Sequence, residues 1–144
     1  MTSKLGAGDV IALLGLEPHP EGGFYRQTFS DQPDGTGRPV STLIYYLLTN
    51  NQAGAWHRVD SAEVWHWYAG APLLLSISRD GKSIATQRLG NDLAAGERPQ
   101  AVVPPNAWQQ ARVEGDWGLV GCTVAPGFQF SKFEQAPPGW QPGG

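Results

Sequence analysis

The chain has a single cysteine, Cys122, so it can form no internal disulfide. Its surroundings, Leu119 to Val124, read as a buried strand, which makes Cys122 a small core residue rather than a nucleophile. Long apolar runs are also missing. None approaches the length that crosses a bilayer, and no basic region followed by a continuous apolar stretch opens the chain. Together these absences predict a protein of the reducing cytoplasm with no membrane partner. Clusters of basic residues are missing too: ten Lys and Arg lie scattered among 13 Asp and Glu, for a net charge of −3, which argues against nucleic acid as a partner. With 144 residues there is chain enough for one core only, and a single domain over 1–144 is expected. The 19 Gly and 12 Pro stay below the low-complexity range, and six Trp can help fill an interior, so the chain reads as a turn-rich globule.

Helical periodicity is nearly absent as well. Only Val10, Ile11, Leu13 and Leu14 fit a helix, placed at about 6–15 and closed by Gly15 in a left-handed cap. Glu17-Pro18-His19-Pro20-Glu21-Gly22-Gly23 is dense in breakers, so the chain must turn there. Strands are then expected at 23–29, 41–49, 54–59, 63–69, 72–79, 82–89, 100–103, 108–113, 117–125 and 128–133, where Val, Ile, Thr and aromatics concentrate. Asp80-Gly81 predicts a two-residue type I′ hairpin, and Glu114-Gly115-Asp116 a second turn. Many short strands without interleaved helices indicate an all-β sandwich or barrel over 22–134, followed by a Pro/Gly-rich tail at 135–144 in which Trp140 is a packing anchor. The run Leu43-Ile44-Tyr45-Tyr46-Leu47-Leu48 lacks alternation, so both faces of its strand want cover. A subunit interface and a central position inside one subunit explain it equally.

Chemistry concentrates in Trp56 to Gly70. Burying Glu63 among Trp65 and Trp67 is costly unless a polar pocket receives it. Strand parity puts Glu63, Trp65 and Trp67 on one face and Val64, His66 and Tyr68 on the other, so His66 turns inward only if a bulge intervenes. His57 titrates near neutrality, and a neighbouring carboxylate such as Glu63 would raise its pKa and fix its tautomer. Tyr25, Tyr45 or Tyr46 could add a second acid. Arg26 shares a strand face with Phe24 and Thr28; its planar fork suits a ligand carboxylate or phosphate, or a structural pairing with Glu21 or Glu63. His19, between two prolines, reads as a turn residue.

These residues resemble the two motifs of the cupin superfamily. Gly54 precedes His57, Val59 stands at the second His position, Glu63 follows after three residues and Gly70 closes the motif. In the second motif Gly96 leads to Pro104-Pro105-Asn106-Ala107-Trp108-Gln109, with Asn106 at the glycine turn and Gln109 in place of the third His. The phrases His19-Pro20-Glu21-Gly22-Gly23-Phe24-Tyr25-Arg26, Ile44-Tyr45-Tyr46-Leu47-Leu48, Glu63-Val64-Trp65-His66, Val102-Val103-Pro104 and Leu119 to Phe128 resemble the cupin type 5 branch across nearly the whole chain. Ala71 and Gln129 depart from its pattern.

The resemblance implies a jelly-roll β-barrel with a ligand cavity, commonly in a homodimer. Glu63, His57 and Gln109 are expected to point into that cavity. His57 and Glu63 are the catalytic candidates, and Arg26, Trp65, Trp67 and Gln109 the ligand-binding ones. No cofactor is predicted. His57, Glu63 and Gln109 stand where a cupin's divalent metal would bind, but an amide and one imidazole make a poor set. The first expectation is a small polar or carbohydrate-like ligand and a metal-free, epimerase-like proton transfer with His57 as base. A non-catalytic binding module comes second, and a metal-dependent oxygenase or isomerase third.

Overall fold

The computed structural model describes residues 4–50 and 53–144. Helix α1 (Ala7–Leu14) ends where Gly15 takes φ 66° and ψ 44°, the left-handed cap expected from the sequence. The helix buries Val10 against Leu47 and Leu119, with Leu16 beside them.

The strands are β1 (Glu17–Pro18), β2 (Phe24–Asp31), β3 (Ser41–Thr49), β4 (His57–Val59), β5 (Ala62–Gly70), β6 (Leu73–Ser78), β7 (Ala85–Leu89), β8 (Gln100–Val103), β9 (Trp108–Val113), β10 (Trp117–Ala125) and β11 (Phe133–Gln135). They form two facing antiparallel sheets, ordered β1-β2-β3-β10-β5-β8 and β11-β4-β9-β6-β7. This is the jelly-roll layout. Strand β3 lies between β2 and β10, so the central position accounts for its unbroken apolar run. Its inward Tyr46 and Leu48 enter the main core, while outward Leu47 is covered by α1.

Three expectations need correction. The hairpin between β6 and β7 exists, but its turn is longer than two residues. Asp80 accepts hydrogen bonds from the backbone N–H groups of Lys82 and Ser83, at 2.8 and 2.9 Å, and this side-chain-capped loop replaces the type I′ turn. The strand expected at 54–59 is confined to His57–Val59, because Gly54 and Ala55 spend backbone N–H groups on Ala111 O and Glu21 O. The segment expected as strand 128–133 is largely irregular. The Phe128 N–H goes to Thr42 Oγ1 at 2.9 Å, a short 3-10 turn spans Phe130–Lys132, and pairing begins only at Phe133, opposite Val59. The sheet thus reaches Gln135. Beyond it Trp140 packs on Trp108 and Trp56, at ring separations of 4.6 and 6.2 Å.

The barrel is solid at one end and hollow at the other. Leu73, Leu75, Leu89, Val113 and Val120 fill the solid end and are fully buried. Along β3, β5 and β10 the inward side chains change from Leu48, Trp67 and Val120 in the core to Thr42, Glu63 and Val124 around a cavity.

Gly23 opens β2 with φ 80°, and a Cβ there would stand 2.6 Å from Leu47 O. Gly23→Ala is therefore expected to cost more than about 2 kcal/mol in urea unfolding, from a forced left-handed φ and a backbone clash. Gly8→Ala, with open space around its Cβ, should be neutral or stabilising by up to about 1 kcal/mol.

Candidate functional site

The cavity has a volume of about 290 Å³. His57, Glu63, Glu21, Tyr46 and Cys122 give its lining polar groups, and Phe128, Phe130, Phe133 and Tyr25 aromatic ones, with the Phe133 ring 5.4 Å from that of His57.

Glu21 reaches this place through its turn. Within the turn, His19 N–H bonds Gly23 O at 2.9 Å, Gly22 N–H bonds His19 O at 3.0 Å, and Glu21 N–H bonds His19 Nδ1 at 3.1 Å. Two further bonds tie the turn to the barrel: Ala55 N–H to Glu21 O at 2.9 Å and Tyr46 Oη–H to Gly22 O at 2.7 Å. The Glu21 carboxylate consequently stands 2.7 Å from His57 Nδ1. That nitrogen also lies 2.9 Å from Ala55 O, so one N–H is contested by two acceptors. Directed at the carbonyl, it leaves the buried Glu21 Oε2 without an aligned donor, and the attraction between Glu21 and His57 is then chiefly that of opposite charges.

Proton affinities follow from this contact. Burial alone would depress His57, but Glu21 in close contact, chiefly through its charge, with the charge of Glu63, outweighs it and pushes His57 up to about 9. Burial would raise Glu21, yet His57 holds it below the ordinary carboxylate value. Glu63 is displaced upward by burial, with His57 opposing. Burial lowers His19, leaving it a neutral imidazole whose Nδ1 accepts from the turn.

Glu63 and His57 both line the cavity, whereas Gln109 lies just behind the lining and is fully buried. Its Nε2 donates to Glu63 Oε1 at 2.9 Å, and its Oε1 accepts from Trp65 Nε1 at 3.0 Å. The direct partner of His57 is Glu21, while that of Glu63 is Gln109; the pairing of His57 with Glu63 considered from the sequence is a longer-range charge interaction. Trp65 and Trp67 belong to the solid half, with Trp67 Nε1 donating to Ala71 O. Arg26 lies outside the lining, on the outer face of β2, and its guanidinium donates to Leu14 O at 3.1 Å, near the end of α1. Tyr25 and Tyr46 face the cavity, and Tyr45 packs outward near Tyr68. His66 also faces outward, toward Thr123 Oγ1. Sequence reasoning missed Glu21 and the three phenylalanines. A carboxylate amid helix- and strand-breaking residues was the available signal for Glu21, but its direction depends on contacts with β3 and β4.

At the motif positions the donors left for a transition metal are His57 Nε2 and Glu63, a poor set. His57 Nδ1 faces Glu21 and Ala55, Val59 offers no donor, and both ends of the Gln109 amide are occupied. Among the described residues no group of three or more His, Cys, Asp or Glu is arranged to hold an ion.

In NMR titration His57 should keep its proton past pH 8, with a midpoint near 9. Its folded value lies above the ordinary 6.5, so the stabilisation it contributes is full below pH 6.5 and lost as pH rises through 9. Glu21→Gln should lower the His57 midpoint, flatten that part of the stability–pH curve and cost about 3 kcal/mol at pH 6, read by urea unfolding.

The Cupin_5 family model, described as cupin superfamily (DUF985), matches residues 8–136. A solved protein of Shewanella oneidensis is 38% identical, with a TM-score of 0.87 over 92% of this chain and 85% of that one. A hypothetical protein from Leishmania major is 30% identical, with a TM-score of 0.80 over 90% of this chain and 86% of that one. Oxalate decarboxylase from Bacillus subtilis, at 12% identity and a TM-score of 0.64 over 82% of this chain and 29% of that one, shares the fold alone. No curated protein matches the chain. The barrel with its half-hollow interior, the motif residues on β4, β5 and β9, and the match over nearly the whole length place this chain in the DUF985 family of the cupin superfamily.

Proposed function

We propose that the cavity binds a small organic molecule and moves a proton on it without a metal, in an isomerase- or epimerase-type reaction. One observation carries this reading: His57, paired with Glu21, and Glu63, bonded to Gln109, open on the same cavity. His57 rests as the imidazolium, with Nδ1 occupied, so Nε2 is its free donor. The resting group is therefore an acid, where the sequence suggested a base. Glu63, raised by burial, is a stronger base when ionised than an exposed carboxylate. In one turnover Glu63 takes a proton from the bound molecule and His57 delivers one to it. Return of both to the resting state transfers one proton back from Glu63 to His57, directly or through water. Tyr46, committed to Gly22 O and pushed well above its ordinary value by burial, serves to hold the turn rather than to donate.

The binding module is favoured by a different observation. His57 and Glu63 each have a satisfying partner within the protein, which is also what a static polar cavity wall requires. Chelator-treated protein incubated in D2O with a panel of aldoses, ketoses and amino- or hydroxy-carbonyl compounds separates the two. Deuterium is expected at one carbon of one compound, with the rate falling at least 100-fold in His57→Asn and in Glu63→Gln. No incorporation from any compound, together with ligand binding that persists in both variants, overturns the enzyme reading in favour of the module.

The outer face of the six-stranded sheet supports the homodimer as a proposal. Phe29, Leu43, Thr123, Val64 and Val102 stand directly opposite one another across five strands, and Phe29 and Val102 are more than half exposed. This row holds no charge for a charged partner to meet, while a twofold axis would lay it on its own copy. Light scattering should report a dimer that becomes a monomer in Phe29→Glu/Val102→Glu; a monomeric parent would refute it. The single buried thiol of Cys122 suits the reducing cytoplasm we propose as its location.

A further inference from the structure

We propose that the cavity selects a small molecule carrying a protonated amine on an apolar or aromatic body, and rejects carboxylates and phosphates. This inference rests on reading the cavity as the ligand site and names the charge class that site accepts.

The lining contains two carboxylates, Glu21 and Glu63, and neither Lys nor Arg. Guanidinium groups outside the lining are engaged elsewhere: Arg26 bonds Leu14 O, Arg38 pairs with Asp60, Arg58 with Glu134 and Arg88 with Glu114. The cavity's one cation is the His57 imidazolium, which Glu21 already neutralises at 2.7 Å. That leaves Glu63, 8% exposed, with the neutral amide of Gln109 as its hydrogen-bond donor and no cation of its own in contact. A buried carboxylate in this position is stabilised by an incoming ammonium and repels an incoming anion, and both effects grow as the ligand displaces water.

The aromatic rings of the same lining suit the rest of such a ligand. Phe128 and Phe130 meet edge to face at 4.8 Å, with Phe133 5.9 Å from Phe128 and 6.2 Å from Phe130. Tyr25 and neutral His19 continue the aromatic surface, 4.6 Å apart. These rings offer apolar contact for a hydrocarbon body and negative faces for a cation passing between them. An anion finds one charged donor here, the His57 Nε2–H, and Glu21 at 2.7 Å already offsets its charge.

Three probes of matched shape test the charge preference: phenethylamine, 2-phenylethanol and 3-phenylpropionate. None carries an aldehyde or ketone to acidify a carbon for the proton-transfer reading, so binding is the sole readout, and deuterium exchange can fail while the amine preference holds. By calorimetry at pH 7 and low salt, the amine should bind at least tenfold tighter than the alcohol, and the propionate at least tenfold weaker than the alcohol. Glu63→Gln keeps an acceptor for Gln109; with its melting temperature unchanged, it should bring amine and alcohol within about threefold by weakening only the amine. Propionate binding as tight as the amine, an amine preference that survives Glu63→Gln, or no binding of any probe at millimolar concentration would overturn the proposal.

Discussion

A carboxylate sealed into the wall of a barrel must be neutralised where it stands, and Glu21 depends on His57 for that. The contact organises much of the hollow end. It draws the breaker-rich turn against β3 and β4, where the Ala55 N–H and the Tyr46 hydroxyl hold it from two directions. It also keeps a positive charge next to a space whose lining holds two carboxylates and no Lys or Arg. Without His57, Glu21 would be an unpaired buried charge at 9% exposure, and the turn bonded to β3 and β4 would carry that cost.

The division of the barrel into filled and open halves has an equally simple origin. Inward positions on successive strands carry Leu, Val and Trp at one end, then Thr, Glu and small aliphatics at the other. Close packing completes the first half, while Glu63 and His57 resist a dry filling of the second. The aromatic segment Phe128–Phe133 closes the hollow from the side, fixed by the Phe128 bond to Thr42 and the pairing of Phe133 with Val59.

Much of the fold was legible in local pattern. Strands β3, β8, β9 and β10 fall on the expected ranges because β-branched and aromatic residues mark them, and Gly15 takes the cap its place demanded. Asn106 adopts φ 65°, a region Asn tolerates better than most residues, at the position read as a glycine turn. Failures came where side chains compete with backbone pairing: Asp80 built a longer loop by accepting two amides, and Thr42 took the amide of Phe128. In the site, period-two parity placed Glu63 inward and His66 outward. It said nothing of depth, so Trp65 and Trp67 were read as cavity walls when they lie further along the same face, in the core. Glu21 was illegible as a partner of His57 because a turn has no period, and only tertiary bonds aim its side chain.

The indole of Trp65 donates and cannot accept, so it orders the atoms of Gln109 in one sense: carbonyl toward the ring, amino group toward Glu63. The polarity of that relay is thereby set from the core outward. An imidazole substituted at 109 to restore a third family histidine would meet the indole hydrogen with the very nitrogen lone pair it needed for an ion.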